Sequence, residues 1–98
     1  MSVYLMAGVN KHDAALYDQY VEKAMPSIAD HDVEVLVISD APRTVEGENP
    51  YGRYVLLKFR DQSHFDKWYN SPAYQQALPI RHNASETPFI VTVDGFSQ

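Results

Sequence analysis

Arg81 is the side chain of this 98-residue sequence with the clearest capacity for ligand chemistry. A guanidinium group stays charged at physiological pH and binds a carboxylate through two parallel hydrogen bonds. Arg81 follows a predicted broken helix in the less acidic half of the chain, where an anion is more easily accommodated. Two interpretations stay open: Arg81 binds an anionic ligand, or it forms a structural ion pair with Glu46 or a helix-end carbonyl. A buried pair with Glu46 would serve both interpretations, because a cleft arginine needs a partner when no ligand is bound.

Four aromatic side chains are candidates for the walls of a ligand cleft. Trp68 and Tyr69 are adjacent on a predicted helix and point about 100° apart, so we expect one in the core and the other facing a cleft. Tyr17 and Tyr20 lie on the buried stripe of the first helix, where a phenol either contacts a ligand or forms one structural hydrogen bond.

His82 is the one histidine placed where it could act as a general base, because it follows Arg81 and precedes a polar segment. The alternative is an exposed loop histidine. The other histidines form no pair with metal-ligand spacing, and the chain has no cysteine, so we expect no metal site. No glycine-rich phosphate loop or nucleophile elbow is present, and the sequence therefore predicts no cofactor.

Charge and hydropathy exclude two classes of partner. Residues 1–49 contain 3 basic and 9 acidic side chains, whereas residues 50–98 contain 5 and 4, for a net charge of −5. With no basic excess to neutralise phosphates, we expect no nucleic-acid partner. No apolar run reaches the roughly 18 to 20 residues that span a bilayer, and no export signal is evident, so we expect no membrane partner and a cytoplasmic location.

The elements that must position these side chains follow from the spacing of apolar residues. We predict one domain over residues 1–98 with the order βαββαβ, which is the α+β, ferredoxin-like arrangement of a four-stranded antiparallel sheet with helices on one face. Pro26 is expected to kink the first helix, and Pro79 to end the second. The predicted strands are Val3–Val9, Val33–Ile38, Tyr54–Phe59 and Phe89–Val93; the predicted helices start at Asp13, at Asp61 or Ser63, and, after a break, at Ser71-Pro72.

The predicted sheet is apolar on both faces. In the third strand Val55 and Leu57 alternate with Tyr54 and Leu56, and the first two strands are also apolar on both sides. Helices cover only one face, so a monomer would expose the other. We therefore predict a homodimer that packs sheet on sheet.

One segment carries a recognisable motif. The run Trp68-Tyr69-Asn70-Ser71-Pro72-Ala73-Tyr74, followed seven residues later by Arg81, resembles the W-Y-x-S-P-x-Y…R signature of the domain-of-unknown-function 1330 family. The resemblance covers almost the whole chain and implies a dimeric α+β barrel of the ferredoxin-like type. The surrounding superfamily includes cofactor-free monooxygenases, haem-degrading enzymes, isomerases and stress-responsive binding proteins, so the fold alone implies no reaction.

Two functions are compatible with these observations. In the first, each subunit has a small-molecule site beside the sheet, where Arg81 holds an anionic or aromatic ligand and the aromatic residues form the walls. Such a site could support cofactor-independent catalysis. In the second, the protein is a non-catalytic ligand-binding or stress-related regulatory dimer, or its motif residues only hold the second helical segment together.

Overall fold

Four strands and three helices follow one another in the predicted order. The computed structural model describes residues 1–96, so the predicted domain over residues 1–98 extends two residues beyond the described chain. The elements are β1 (Val3–Lys11), α1 (Ala14–Asp30), β2 (Glu34–Ser39), β3 (Arg53–Phe59), α2 (Gln62–Tyr69), α3 (Pro72–Ala84) and β4 (Ser85–Asp94). The predicted break in the second helical segment is confirmed as the junction between α2 and α3.

The four strands form one antiparallel sheet with the order β2-β3-β1-β4. The prediction of the ferredoxin-like arrangement is confirmed. Helices α1 and α3 pack against each other over one face of this sheet. Within the described residues, no helix is long and apolar enough to cross a membrane.

Each helix begins at a side chain that accepts a hydrogen bond from a backbone N–H three residues later. The acceptors are Asp13 for α1, at 3.0 Å, Asp61 for α2, at 2.9 Å, and Ser71 for α3, at 3.2 Å. Pro72 occupies the first position of α3, where its missing N–H costs no hydrogen bond. These starts were expected from the sequence, with Asp61 rather than Ser63 capping α2.

The prediction that Pro79 ends its helix is wrong, whereas the kink expected at Pro26 stays a prediction. Helix α1 passes through Pro26 to Asp30, and α3 passes through Pro79 to Ala84. Both prolines are exposed, so each carbonyl that loses its intrahelical partner faces water, while buried side chains before and after the proline hold the helix on the core. As a consequence, Arg81 and His82 belong to the helix instead of following it.

The core lies between the helices and the inner face of the sheet. Alternate residues of β1 and of the second half of β3 are at most 5% exposed, and they meet small and aromatic side chains from the helices. The sheet contributes Val3, Leu5, Ala7, Val9, Leu57 and Phe59, and the helices contribute Tyr17, Ala24, Trp68, Tyr74, Ala77 and Ala84.

The second strand is predicted to place successive side chains on opposite faces of the sheet, but a bulge interrupts this alternation. Val35 pairs with Leu57, whose side chain faces the helices, but Val37 pairs with Leu56, whose side chain faces away. The additional residue between them reverses the alternation. Ile38 therefore joins the helix side of the sheet, and Val37 joins the outer side.

The outer face of the sheet is uncovered and apolar, as the sequence predicts. Met6, Val37, Val91 and Val93 lie on this face, and each is 40% to 44% exposed. The backbone extends over 34 × 32 × 17 Å. Its shortest dimension, 17 Å, corresponds to one layer of helices on one sheet.

Candidate functional site

A small cavity lies between the helices and the inner face of the sheet. Its volume is about 40 Å³, and apolar side chains of β1 and β3 form its floor. Thr87 and Ile90 of β4 also line it, and the remaining lining residues come from the helices: Arg81 and Tyr74 of α3, Tyr17 and Tyr20 of α1, and Trp68 of α2. The cavity therefore combines an apolar floor with aromatic walls and one cationic side chain, which is a composition typical of small-molecule sites.

Arg81 is buried without a carboxylate partner. The residue is 7% exposed, and its Nη1 donates a hydrogen bond to the Tyr74 hydroxyl at 2.9 Å. Its Nε is buried and has no hydrogen-bond partner among residues 1–96, and in the same residues no Asp or Glu lies within ion-pair distance of its guanidinium. The site thus contains an uncompensated positive charge with unused donor capacity.

Helix α3 places Arg81 and Tyr74 on the same face. A spacing of seven residues corresponds to two helical turns, so both side chains lie on the stripe that also buries Ala77 and Ala84. Ser71 fixes the start of this helix, and its hydroxyl also donates a hydrogen bond to the Trp68 carbonyl at 2.7 Å. The cap therefore fixes the position of Trp68 relative to the helix that carries Arg81.

The aromatic walls are joined by hydrogen bonds. The Tyr20 and Tyr74 hydroxyls are 2.8 Å apart, which extends the interaction of Arg81 into a chain of two phenols. On the opposite side, Trp68 Nε1 donates to the Ser27 hydroxyl at 3.1 Å, and Ser27 donates to a carbonyl of its own helix at 2.6 Å. These bonds hold the rings in place without occupying the free donor of Arg81.

The buried phenols keep their protons at neutral pH. Burial raises the pKa of Tyr74 above its ordinary value, and the nearby Tyr20 raises it further. Burial also raises the pKa of Tyr17, with a smaller contribution from Tyr20. Because both hydroxyls stay neutral, they act as hydrogen-bond donors and acceptors rather than as bases.

A second arginine lies near Tyr17, at the other end of the tyrosine pair. The Arg53 guanidinium is 5.1 Å from the centre of the Tyr17 ring, and it forms two hydrogen bonds with Asp40, at 2.7 and 2.9 Å. The hydrogen bond from Arg53 lowers the pKa of Asp40. Arg53 therefore has a carboxylate partner, which it shares with Lys11, whose Nζ lies 3.7 Å from Asp40.

The match to a protein family is specific over nearly the whole chain. The sequence pattern of the family named domain of unknown function DUF1330 matches residues 2–96. The chain belongs to this family. Its W-Y-x-S-P-x-Y…R motif forms the end of α2, the cap of α3 and the buried face of α3, so the motif holds Arg81 at the cavity.

Solved structures share the fold of this DUF1330 chain at low sequence identity. A protein of unknown function from Rhodopseudomonas palustris is 12% identical with a TM-score of 0.81, over 99% of this chain and 84% of that one. A dimeric ferredoxin-like protein of unknown function from Jannaschia sp. CCS1 is 14% identical with a TM-score of 0.69, over 97% and 100%. SnoaB from Streptomyces nogalater, a cofactor-independent oxygenase, is 10% identical with a TM-score of 0.69, over 99% and 95%. A comparison with curated proteins finds no match.

The fold brings four of the predicted site residues of this DUF1330 chain together and leaves three apart. Arg81, Tyr20, Tyr17 and Trp68 line the cavity, and Trp68 does so while being 2% exposed. The tryptophan therefore combines the two roles that the sequence presents as alternatives.

The other three candidates do not line this cavity. Tyr69 stacks on Phe65 with a ring distance of 5.6 Å, outside the cavity wall. His82 is exposed because it follows Arg81 by one helical position, which turns its side chain about 100° away. Glu46 lies in the exposed β2–β3 connection, apart from Arg81.

The structure also adds residues that the sequence interpretation missed. Tyr74 belongs to the motif, and its seven-residue spacing from Arg81 places both on one helical face, a signal that the sequence interpretation does not use. Arg53 begins β3, and nothing in its local sequence indicates that it lies over Tyr17. Within residues 1–96, no group of three or more His, Asp or Glu side chains could hold a metal ion.

Proposed function

We propose that the protein binds a small anionic molecule in the cavity between its helices and sheet, with Arg81 holding the anionic oxygen. The observation that carries the proposal is the state of Arg81, which is 7% exposed and bonded to one phenol, with a buried Nε that has no partner among the described residues. A buried cation is costly unless an anion compensates it.

The chemistry of the cavity indicates which anions fit. A carboxylate or enolate oxygen can accept from the guanidinium, since such charge-assisted hydrogen bonds are about twice as strong as neutral ones. The rest of the ligand would contact Tyr17, Tyr20 and Trp68, which favour a flat or apolar body. A strongly hydrated ion such as phosphate would leave most of its oxygens facing apolar side chains, and we expect it to bind poorly.

Ligand binding without chemistry accounts for every group in the cavity. The two phenols with raised pKa values are neutral, and His82 is exposed on the other side of α3. No side chain that lines the cavity is therefore suited to remove a proton from the ligand at neutral pH.

Cofactor-independent oxygenation is a second candidate, favoured by the similarity in fold to SnoaB. In this case the ligand would react as its own anion, and Arg81 would stabilise the oxyanion that precedes the reaction with oxygen. Oxygen uptake with acidic phenols and enols distinguishes this candidate from binding alone. An uptake that requires both the protein and Arg81 would support catalysis.

The binding proposal is tested by thermal unfolding with a panel of carboxylates and enols. A ligand present at 100 times its Kd adds roughly 2.7 kcal/mol to the free energy of unfolding. We expect a compound that stabilises the wild type and the Arg53→Met variant but not the Arg81→Met variant. Equal stabilisation of Arg81→Met and wild type would contradict the proposal, because the ligand would then bind without Arg81.

We also propose that two copies of the chain associate through the outer faces of their sheets. The proposal is supported by the exposed apolar side chains of this face and by the dimeric ferredoxin-like neighbour from Jannaschia. We expect the wild type to sediment as a dimer at micromolar concentration and Val91→Glu to sediment as a monomer. Val45→Glu is the matched control, because Val45 is 80% exposed in the β2–β3 connection. A monomeric wild type would exclude this assembly.

A further inference from the structure

A second cavity adjoins the one that contains Arg81. Its volume is about 60 Å³, and it lies between α1 and the β2 side of the sheet. The two cavities share five lining residues: Tyr17, Tyr20, Val55, Leu57 and Trp68. Each cavity is far below the roughly 300 Å³ at which ordinary small-molecule sites begin, so a ligand of common size needs both cavities together with the open rim of the second one.

Tyr20 forms part of the partition between these cavities. Its ring lines both of them, while its hydroxyl bonds to the Tyr74 hydroxyl, and Tyr74 lines only the Arg81 cavity. Tyr20 is half-buried, whereas Tyr17 and Trp68 are 3% and 2% exposed. Among the three aromatic residues shared by the cavities, Tyr20 is therefore the one with the most room to move.

The second cavity is apolar toward its outer end. Val21, Ala24 and Ile28 form its α1 side, and Ile38 approaches from β2 because of the bulge in that strand. At the rim, Met25 is 43% exposed and Ile38 is 46% exposed, so apolar side chains connect the cavity to the surface. Among residues 1–96, Arg53 is the only charged side chain that lines it, and Arg53 forms hydrogen bonds with Asp40.

We propose that Tyr20 moves aside to join the two cavities, and that the joined site takes an elongated apolar monoanion such as a medium-chain carboxylate. The carboxylate would bind Arg81, and the chain would pass Tyr20 and extend between α1 and Ile38. This inference rests on the proposed function and adds the class and orientation of the ligand. Its cost is one phenol–phenol hydrogen bond, which is offset by apolar contact along the second cavity.

The test is a calorimetric titration with straight-chain carboxylates from butanoate to dodecanoate. Burial of a methylene group corresponds to about a fourfold gain in affinity, so we expect the affinity of the wild type to rise by about this factor per carbon until the second cavity is filled. The same gain for Arg81→Met, or no binding by the wild type, would overturn the proposed function. Binding that needs Arg81 but does not depend on chain length would overturn only this inference.

Two α1 variants locate the chain of the ligand. Ala24→Leu fills the second cavity, since Ala24 lines it and is 4% exposed, whereas Ala29→Leu adds the same side chain at an exposed position of the same helix. As the carboxylate chain lengthens, we expect the affinity of Ala24→Leu to stop rising several carbons earlier than that of Ala29→Leu. Val21→Phe blocks the same cavity from a half-buried position and replaces Ala24→Leu if circular dichroism shows that the latter does not fold. Equal profiles for the blocked and control variants would contradict the inference.

A variant of Tyr20 itself tests the movement of this side chain. Tyr20→Phe keeps the ring but removes the hydrogen bond to Tyr74 that must break when the cavities join. We expect the ratio of the decanoate affinity to the butanoate affinity to rise two- to tenfold above that of the wild type. A fall in the affinity for decanoate would show that the Tyr20 hydroxyl contacts the bound ligand instead of separating the cavities.

Discussion

Two arginines lie beside two tyrosines of the same helix, and they differ in how their charges are compensated. Arg53 is 5.1 Å from the ring centre of Tyr17, and Arg81 is 6.0 Å from that of Tyr20. Arg53 forms two hydrogen bonds with the partly exposed Asp40. Arg81 is more deeply buried, and among residues 1–96 its guanidinium has a phenol as its only hydrogen-bond partner.

The difference separates an arginine that stabilises the fold from one that is available for a ligand. Both carboxylate hydrogen bonds of Arg53 are formed within the chain, near water, where the net contribution of an ion pair is small. Arg81 sits where an unpaired charge is unfavourable, so its presence is difficult to explain by folding stability alone. The predictions below test this contrast, beginning with the largest expected effect.

Arg81→Met should weaken ligand binding most and should not destabilise the protein. Loss of a charge-assisted hydrogen bond of about 1.5 to 3 kcal/mol corresponds to a fall in affinity of roughly 10- to 100-fold. Because methionine replaces a buried, unpaired charge with an apolar side chain, we expect the free energy of unfolding to stay constant or to rise by about 1 to 4 kcal/mol. Calorimetric titration and urea unfolding measure the two effects.

Arg53→Met is the matched control for this experiment. The affinity of Arg53→Met for short ligands should stay within about twofold of the wild-type affinity. Its free energy of unfolding should fall by less than about 1 kcal/mol. If Arg53→Met abolished binding while Arg81→Met did not, the roles of the two arginines would be the reverse of those inferred here.

Tyr74→Phe should be the most destabilising conservative change in the cavity. The Tyr74 hydroxyl joins Arg81 to Tyr20, so its removal leaves two buried or half-buried groups without their shared partner. We expect a loss of about 1 to 3 kcal/mol in the free energy of unfolding, measured with urea. Tyr51→Phe is the control, because its half-buried ring packs on Phe89 and its hydroxyl has no hydrogen bond within the described chain. Equal losses in the two variants would show that the phenol chain contributes nothing specific.

Alkaline pH should reduce the difference in the free energy of unfolding between Tyr74→Phe and the wild type. Burial raises the pKa of Tyr74 above its ordinary value of 10.0, so above that pH the unfolded chain releases a proton that the folded chain retains. The folded state therefore loses stability as pH rises, by roughly 1.4 kcal/mol for this residue near pH 11. Tyr74→Phe has no hydroxyl at this position and therefore does not lose this stability. Urea unfolding at pH 8 and pH 11 should show that the free energies of unfolding of the two proteins approach each other by about that amount. A constant gap would indicate that Tyr74 titrates normally.

Much of the fold could be predicted from local sequence, because apolar spacing and helix caps are local signals. Asp13 and Ser71 were identified as caps from residue type alone, and both accept the expected hydrogen bonds. The errors lie where tertiary contacts override a local rule. Pro79 does not end α3, because the buried stripe on either side of it holds the backbone against the sheet.

The candidate site was less predictable, because it depends on contacts between distant parts of the chain. The motif containing Trp68 predicts the helix that carries Arg81, but only the folded chain shows that no carboxylate of residues 1–96 pairs with Arg81. Glu46 was a reasonable partner by charge, yet the β2–β3 connection places it at the surface. No local pattern specifies the path of such a connection.

Acid unfolding gives the smallest effect and distinguishes the two arginines independently of any ligand. The hydrogen bond from Arg53 lowers the pKa of Asp40 below its ordinary value of 3.8, so the folded chain holds the charged form more strongly than the unfolded chain does. The resulting stabilisation is present above pH 3.8 and is lost as pH falls through the lower, folded pKa. Asp40 is largely exposed, so we expect less than about 1 kcal/mol, and less still at high salt.

Asp40→Asn should remove this acid-dependent part of the stability, which urea unfolding between pH 5 and pH 2 can measure. Arg81→Met should leave it unchanged, because no carboxylate of residues 1–96 pairs with Arg81. If Arg81→Met also altered the acid dependence, Arg81 would have a carboxylate partner in solution. It would then resemble Arg53, and the argument for an anionic ligand would lose its main support.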